Sequence, residues 1–427
     1  MNCKESLDYI YSTVWKGSRP GLGRTLELLG MMGNIQDKLK YVHVAGTNGK
    51  GSVCAMTANI LKESGYKTGL YISPGLRSFN ERMSVNGEYI TDSELADIAT
   101  YVRSFADKMK DSPTEFELTT VIAFEYFYRK KCDVVVLEVG MGGRLDSTNV
   151  IKSPEVSVIT GIALDHTAFL GDTVEKIAAE KAGIIKTRRP VVYGGDSKEA
   201  GKVISAKASE MYAPYYTSSE NEVNVVSRTL DGTVFTYGGR EYKSSLVGDY
   251  QRSNVATVMK TVGVLRSNGF NIPVSAVEKG LSSVYWPARF EVLSREPLMI
   301  YDGAHNPQGL ASCVKTVKEL FRNKRVIVLS GVMADKDFSV MLPMIKQIAA
   351  RVYTVRPDSH RSLGARKYAA LFNSEGVEAH SSNTVRAGVE KAYSDGKKTG
   401  LPVVMLGTLY MYKEVRDAFD AIAEDKR

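Results

Sequence analysis

The chain has 427 residues, 43% of them hydrophobic and 24% charged. It is longer than one hydrophobic core usually supports, so we expect two domains. The formal net charge is +8, but no long lysine and arginine run is interleaved with aromatics, so we expect small anionic ligands and no nucleic acid. No apolar run reaches the ~18 residues of a membrane span, and the start lacks the apolar segment of a signal peptide, which argues against a membrane partner and against export. The four cysteines form no C-x-x-C motif, so we expect a cytoplasmic protein.

The first predicted strand, residues 42–45, leads into a glycine-rich turn, and a helix is predicted from residue 53 to residue 64. Strand, turn and helix in this order let backbone N–H groups converge on oxyanions at the positive end of a helix dipole. In such a turn Lys50 supplies a cation for the β- and γ-phosphates, and Ser52 a hydroxyl for Mg²⁺. The sequence therefore predicts a nucleoside triphosphate site formed by Gly46, Thr47, Asn48, Gly49, Lys50, Gly51 and Ser52.

This turn departs from the common phosphate-loop pattern, G-x-x-x-x-G-K followed by Ser or Thr. The first glycine of that pattern falls on Val44, and Gly51 follows Lys50. The alternative is a glycine-rich turn with an incidental lysine. Three glycines, a lysine and a hydroxyl in a strand-to-helix context favour phosphate binding.

Strand-like and helix-like stretches then alternate, which predicts an α/β fold with a parallel sheet covered by helices. The predicted strands are residues 68–72, 134–139, 156–160 and 191–193, and the predicted helices are residues 93–110, 116–130, 174–182 and 197–212. The near-continuous aliphatic run at residues 134–139 predicts a strand buried on both faces.

The pattern changes after residue 222. Residues 223–247 read as antiparallel hairpins, and helices are predicted at residues 251–267 and 274–282. Pro287 interrupts the helical pattern, so we divide the chain into an ATP-binding domain, residues 1–285, and a smaller C-terminal α/β domain, residues 286–427. The second domain has predicted strands at residues 298–301, 325–331, 351–355 and 401–406, and predicted helices at residues 310–321, 365–372 and 384–393.

Ligands in open α/β sheets bind at the carboxyl ends of the strands, where Ser73, Glu138 and His166 all fall. A buried strand is a poor place for the charge of Glu138 unless it has a partner. Mg²⁺ suits a carboxylate, and the alternative is a Glu–Arg ion pair, for example with Arg144. His166 follows Asp165, and this pairing favours a ligand role only modestly.

The residues alone do not decide the roles of two further segments. Lys181 precedes a glycine cap at the end of a predicted helix, which predicts an ordinary solvated cation. Asp302 and His305 follow a strand of the second domain, just before Pro307, which is well placed to start a helix. They could reach across an interdomain cleft to a nucleotide or form local turn and capping structure.

Taken in order, eight segments resemble the folylpolyglutamate synthase/dihydrofolate synthase family of the Mur ligase superfamily, in which the shortened phosphate loop is normal. They are His43-Val-Ala-Gly-Thr-Asn-Gly-Lys-Gly-Ser52, Ser73-Pro74, Asn80-Glu-Arg82, Leu137-Glu-Val-Gly-Met-Gly-Gly-Arg-Leu-Asp-Ser-Thr-Asn149, Ala163-Leu-Asp-His166, Glu180-Lys-Ala-Gly183, Ala288-Arg-Phe-Glu291 and Asp302-Gly-Ala-His-Asn-Pro307.

The resemblance implies a P-loop-containing, mainly parallel sheet domain of the Mur ligase central type and a smaller Rossmann-like C-terminal domain. It implies an ATP-dependent amide ligase that adds L-glutamate to the γ-carboxylate of folates through an acyl phosphate. ATP and two Mg²⁺ sites are implied, the partners are folate and L-glutamate, and we expect a monomer. Whether dihydropteroate is also glutamylated stays open.

The resemblance also implies the catalytic and metal-binding residues. Lys50 and the loop amides hold the phosphates, and Ser73 and Glu138 bind a first Mg²⁺. Glu138 and His166 bind a second, where Lys181 acts as a carbamate formed with CO₂.

The remaining implied roles concern the nucleotide and the folate. Asn254 and Arg289 contact the nucleotide, and Asp302 and His305 reach it from the second domain, with His305 counted among the catalytic residues. The positions implied to bind the folate, three of which line a pterin site, are Thr114, Phe116, Arg144 and Asp146.

Three positions depart from the family pattern: Gly75 stands where a histidine is frequent, Glu115 where an aromatic is common, and Thr408 where a serine is usual. The alternatives are a Mur-type ligase acting on a cell-wall nucleotide precursor and, in another class, a P-loop switch or nucleic-acid-dependent ATPase. The last leaves the second α/β domain and the segment from Asp302 to Pro307 unexplained.

Overall fold

The computed structural model describes residues 1–17, 19–334, 336–359 and 361–424. Two compact units are present. The first comprises residues 1–224, 236–243 and 253–284, and the second comprises residues 225–235, 244–252 and those from 285 onward. The single division at residue 285 stays a prediction.

The first unit is built on an eight-stranded sheet. Its strands are β1 (Tyr41–Ala45), β2 (Thr68–Tyr71), β3 (Met83–Val85), β4 (Glu88–Tyr89), β5 (Val134–Glu138), β6 (Val156–Ile159), β7 (Val191–Tyr193) and β8 (Tyr215–Thr217). Their order is β4-β3-β2-β5-β1-β6-β7-β8. In this order, every neighbouring pair from β2 across the sheet to β8 is parallel. Strand β3 is antiparallel to both of its neighbours, β2 and β4. Every residue of β1 and β5 is buried, as expected for parallel strands covered on both faces.

Helices cover this sheet on both faces. Those that begin before residue 285 are α1 (Cys3–Tyr11), α2 (Gly23–Met31), α3 (Lys50–Glu63), α4 (Asp92–Ala106), α5 (Glu115–Arg129), α6 (Thr167–Leu170), α7 (Val174–Ala182), α8 (Lys198–Glu210), α9 (Gln251–Ser267) and α10 (Val274–Ser282). One apolar core joins α1, α2, α4 and α5 to Tyr41, Val135 and Leu137 of the sheet. A second joins α7 and α8 to Ala45 and Ile159.

Helix α3, which follows the glycine-rich turn, is buried along most of its length. It packs so closely on α10 that a Cβ atom on Gly280 would lie 2.7 Å from the Cα atom of Ile60. The side chain of Asn59 donates a hydrogen bond of 2.8 Å to the carbonyl oxygen of Gly280. The C-terminal half of α3 is therefore held by α10.

A three-stranded sheet follows, with strands β9 (Val223–Thr229), β10 (Gly232–Tyr237) and β11 (Arg240–Ser244) in the order β11-β10-β9. The second unit has a six-stranded sheet of β12 (Glu291–Arg295), β13 (Leu298–Tyr301), β14 (Val326–Ser330), β15 (Ala349–Thr354), β16 (Ala379–Ser381) and β17 (Val403–Leu406). Its order is β12-β13-β17-β14-β15-β16, with only β12 antiparallel. Its helices are α11 (Pro307–Leu320), α12 (Phe338–Lys346), α13 (Ala365–Ser374), α14 (Val385–Thr399) and α15 (Tyr412–Glu424).

The predicted α/β class with mainly parallel sheets is confirmed. One predicted boundary is wrong in a way that matters: α3 begins at Lys50, three residues before the predicted start, because Gly49 already closes the turn with φ 90°. Pro307 occupies the first turn of α11, as predicted. Within the described ranges, none of the helices combines the length and apolar character that a bilayer crossing requires.

Candidate active site

Two glycines give the turn between β1 and α3 its shape. Gly46 has φ 151°, and a Cβ atom there would lie 1.8 Å from Oγ1 of Thr160. Gly49 has φ 90°, and a Cβ atom there would lie 2.3 Å from Oδ1 of Asn254. Positive φ angles of this kind disfavour side chains, and the space beside both positions is already filled. The turn thus needs glycine for conformation and for room.

Residues that follow β6 brace this turn. The N–H group of Thr47 donates to the carbonyl oxygen of Gly161 over 2.9 Å. Its hydroxyl donates to the carbonyl oxygen of Ala163 over 3.1 Å and accepts from the Ala163 N–H group over 3.2 Å. The Thr160 hydroxyl donates to the carbonyl oxygen of Asn48 over 2.7 Å. The bonds hold the turn open in one conformation, which is what a preorganised anion site requires.

The first turn of α3 places the predicted phosphate-binding groups. Lys50 is the first helical residue, and its Nζ donates to the carbonyl oxygens of Gly46 and Thr47 over 3.1 and 3.3 Å. Gly51 and Ser52 follow on the same turn and are buried. The first N–H groups of a helix lack intrahelical acceptors and carry the positive end of its dipole. The geometry suits a phosphate.

Lys181 lies near the end of α7 and is only 3% exposed. Its Nζ donates to the carbonyl oxygen of Gly46 over 2.9 Å. Burial, together with the nearby positive charge of Lys50, lowers the pKa of Lys181 to about 7. The solvated cation expected from the residues alone is therefore wrong, because the helix end turns inward onto the phosphate loop.

Glu138, the last residue of β5, is buried, and Oε2 of its carboxylate accepts a hydrogen bond of 3.2 Å from the N–H group of Ser73. The alternative partner, Arg144, pairs instead with Glu180 over 2.8 Å at a half-exposed position. Arg144 is thus not the partner of Glu138, and a metal ion at Glu138 stays a prediction.

The donor set around Glu138 bears on Mg²⁺. Among the described residues, no three His, Cys, Asp or Glu side chains are placed to hold a metal ion together. The adjacency of Ser73 and Glu138 nevertheless supplies a hydroxyl and a carboxylate, the oxygen ligands that Mg²⁺ prefers, and Mg²⁺ usually completes its shell with waters and substrate phosphates. The residues present fit the ion on that basis.

His166 caps the short helix α6 in the left-handed conformation, with φ 50°. Its side chain is about half exposed, and Nε2 lies 3.9 Å from Oδ2 of Asp165. The two neighbouring side chains therefore lie close together, and a metal-ligand role for His166 stays a prediction.

The residues expected to bind the folate lie in the first unit, and three of them make contacts that stabilise the local structure. Thr114 caps α5 in a reciprocal arrangement with Glu117. Phe116 packs so closely on Gly140 that a Cβ atom there would lie 2.4 Å from its ring. Asp146 is buried and accepts hydrogen bonds from the N–H group of Met141 over 2.9 Å and from the hydroxyl of Thr148 over 2.6 Å. Burial raises the pKa of Asp146.

Arg289, Asp302 and His305 lie in the second unit. Nη1 of Arg289 donates to the carbonyl oxygen of Ala288 over 3.2 Å, and Nδ1 of His305 lies 2.9 Å from the carbonyl oxygen of Gly303. Both oxygens of Asp302 accept hydrogen bonds within this unit. Local turn structure, one of the two interpretations left open, is thus present, and a nucleotide contact for these residues stays a prediction.

Comparison with known proteins bears on these features. The family model of the Mur ligase middle domain matches residues 44–262, and that of the Mur ligase glutamate ligase domain matches residues 288–409. Folylpolyglutamate synthase of Lacticaseibacillus casei is 36% identical, with 97% of this chain and 98% of the relative aligned. Dihydrofolate synthase/folylpolyglutamate synthase of Bacillus subtilis is 34% identical at the same coverage. The chain belongs to the folylpolyglutamate synthase/dihydrofolate synthase family.

The solved structures agree with this membership. Escherichia coli FolC, in a complex with DHPP and ADP, has a TM-score of 0.86 and 30% identity, with 99% of each chain covered. The predicted family and the expectation of an ATP-dependent ligase are thereby confirmed.

For this family member, the structure brings part of the predicted set together. The phosphate loop lies against Lys181 and Asn254, and Ser73 lies against Glu138. Sequence reasoning missed the bracing role of Thr160. A threonine at the end of a predicted strand beside the phosphate loop was the available signal, but its contact partners are more than 100 residues away in the chain.

Proposed function

We propose that this protein is an ATP-dependent ligase that joins L-glutamate to the γ-carboxylate of a reduced folate. The terminal phosphoryl group of ATP passes to a γ-carboxylate oxygen, giving an acyl phosphate and ADP. The α-amine of glutamate then attacks the acyl carbon, and the C–O bond to phosphate breaks as the amine loses its proton. The products are a γ-linked amide and inorganic phosphate.

The phosphate loop serves the first step in this proposal. Transfer of a phosphoryl group needs positioning and charge neutralisation more than covalent help from the protein. The amides at the start of α3 and the ammonium of Lys50 supply both. On binding, Lys50 exchanges the carbonyl acceptors of Gly46 and Thr47 for phosphate oxygens, which makes stronger, charge-assisted bonds.

Ser73, Glu138 and His166 are proposed to hold Mg²⁺, whose chemistry when bound is to neutralise charge on the phosphates. Lys181 is proposed to react with CO₂ through its neutral amine, forming an N–C bond and releasing one proton. The resulting carbamate is an anion. Its negative charge would pair with the positive charge of Lys50, which explains why this side chain is buried beside it. A pKa near 7 makes the neutral amine accessible at physiological pH.

Asn254 and Arg289 are proposed to contact the nucleotide, with Asp302 and His305 assigned to the same ligand. Thr114, Phe116, Arg144 and Asp146 are proposed to bind the folate. Relatives of the chain include proteins named for both activities. The proposal therefore includes dihydropteroate as a second acceptor to be tested, and Glu115, an acid where an aromatic is common, is the position most relevant to that choice.

The observation that carries the proposal is the burial of Lys181 against the carbonyl oxygen of Gly46 in the phosphate loop. A nucleotide switch needs one lysine at its phosphates, whereas the proposed ligase uses Lys181 as a second at its metal site.

The test is phosphate release by the purified chain with ATP, Mg²⁺, L-glutamate and tetrahydrofolate, each omitted in turn. The proposal expects release only with all four. Release that ignores folate and glutamate contradicts it, and release stimulated by RNA or by a cell-wall nucleotide precursor would assign another class. A parallel arm with dihydropteroate decides the second activity.

A further inference from the structure

The backbone around Arg289 adopts an unusual conformation. Ala288 and Phe290, the residues on either side of it, have φ 57° and φ 49°. Residues other than glycine are strained in this left-handed region. A bulky residue adopts such a conformation only where the surrounding structure holds it there. Both residues are buried. The turn therefore needs groups that hold it.

One carboxylate holds each side of the turn, and that of Asp302 is buried. Oε2 of Glu291 accepts from the N–H group of Ala288 over 2.8 Å. Oδ2 of Asp302 accepts from the N–H group of Phe290 over 3.0 Å. The N–H group of Gly303 also donates to the carbonyl oxygen of Ala288 over 2.8 Å. The peptide groups on both sides of Arg289 are thus fixed.

Hydroxyl groups orient the two carboxylates in turn. Glu291 accepts from the hydroxyls of Tyr285 and Tyr412 over 2.7 and 2.8 Å. Nη1 of Arg416 lies 3.8 Å from its Oε1. Asp302 accepts from the hydroxyl of Tyr250 over 2.7 Å. Hydrogen bonds to a carboxylate are stronger than neutral ones, so these hydroxyls restrain both carboxylates.

The guanidinium of Arg289 lies where this turn directs it. A Cβ atom on Gly303 would lie 2.5 Å from Nη1 of Arg289, so the arginine side chain occupies the space that only glycine leaves open. Burial raises the pKa of Asp302, and the nearby positive charge of Arg289 acts in the opposite direction. The arginine is thereby held in one place before any ligand arrives.

We propose that Glu291 is a positioning residue for ATP: it contacts no substrate, and it fixes the strained turn that aims the guanidinium of Arg289. Asp302 acts in the same way on the other side of the turn. The inference rests on the proposed function, in which Arg289 contacts the nucleotide.

The test is a double-mutant cycle on the full chain, with binding of the non-hydrolysable analogue AMPPCP measured by calorimetry. The single variants are Glu291→Ala and Arg289→Ala, and Glu296→Ala, an exposed acid on the same hairpin, is the control. We expect Glu291→Ala to weaken AMPPCP binding about tenfold, the scale of one lost charge-assisted hydrogen bond. In the Arg289→Ala background the same change should have no further effect.

The outcomes separate the two claims. If Arg289→Ala leaves AMPPCP binding unchanged, the nucleotide role of Arg289 fails, and the inference fails with it. If Arg289→Ala weakens binding but Glu291→Ala adds an independent loss in the double variant, only the positioning role fails. Should Glu291→Ala not fold, Glu291→Gln keeps the volume and an acceptor for Ala288, and it should give a smaller loss that again vanishes without Arg289. An undiminished loss in that background would overturn the inference.

Discussion

The ammonium group of Lys181 lies 2.9 Å from the carbonyl oxygen of Gly46, so the end of α7 is hydrogen-bonded to the first glycine of the phosphate loop. The ammonium of Lys50 lies 3.1 Å from the same oxygen. Two lysine amines thus converge on one carbonyl, an arrangement that is costly when both are charged and no anion is nearby. The proposed reaction would bring phosphate oxygens, and a carbamate on Lys181 would replace one of the two cations with an anion.

The carbamate predicts a specific pattern of loss and rescue at Lys181. Lys181→Ala should abolish ligase turnover, because it removes the group that would carry the anion. Bicarbonate or a short carboxylate supplied in the buffer should restore part of the activity. Lys176→Ala is the matched control, since Lys176 lies on the same helix and pairs with Asp172 at the surface. Full activity in Lys181→Ala would refute the carbamate.

Gly46→Ala tests the shape of the phosphate loop. The added methyl group would overlap Oγ1 of Thr160 and occupy a residue with φ 151°, so we expect a loss of about 2 kcal/mol or more in unfolding free energy. Displacement of the loop should lower turnover about 100-fold. Gly30→Ala, at a helical glycine with open space around it, should change neither quantity appreciably. Wild-type turnover in Gly46→Ala would show that the loop does not position the phosphates.

Glu138→Gln should separate activity from stability. The amide keeps an acceptor oxygen for the N–H group of Ser73 and removes a buried negative charge, so the melting temperature should stay the same or rise. Turnover should fall about 100-fold or more, because charge stabilisation at the phosphates is lost. Glu175→Gln, an exposed acid on α7, serves as the control. A variant that is as active as the parent would exclude Glu138 from the metal site.

The buried imidazole of His43 predicts a pH dependence of stability. Its Nε2 lies 2.9 Å from Oγ1 of Thr148, and burial, with the positive charge of Lys186, lowers its pKa to about 3. The unfolded chain binds a proton near pH 6.5, so stability is full above that pH and declines as the pH falls towards 3. Between pH 7 and pH 5 this group should cost about 2 kcal/mol of unfolding free energy.

Urea titrations at the two pH values measure this difference. In His43→Asn the decline should be smaller by that amount, whatever the stability at pH 7. An equal decline in both proteins would show that His43 does not remain neutral in the folded chain.

Sequence reasoning was most successful where burial on both faces leaves a continuous aliphatic run. The run at residues 134–138 and that at residues 156–159 became β5 and β6 within one residue of their predicted ends. The helices α1 and α2 were not predicted, because only a few residues of each are buried and their apolar stripes are short.

In the candidate site, too, some features could be predicted from the sequence and others could not. The phosphate loop was predictable because its glycines, lysine and hydroxyl are consecutive. The burial of Lys181 was not, since its acceptor Gly46 is 135 residues away and its own segment is polar. For Asp302 the residues alone left two interpretations, and only the structure shows that Tyr250, Phe290 and Ala304 all donate to its carboxylate.

The central claim is that a folate carboxylate is activated as an acyl phosphate and captured by glutamate. The most direct measurement supplies tetrahydrofolate labelled with a heavy oxygen isotope in the γ-carboxylate, together with ATP, Mg²⁺ and L-glutamate, and analyses the released phosphate by mass spectrometry. The account predicts that each phosphate carries one labelled oxygen and that the folate gains one glutamyl residue. Phosphate released without the label, or without a glutamylated product, would contradict it.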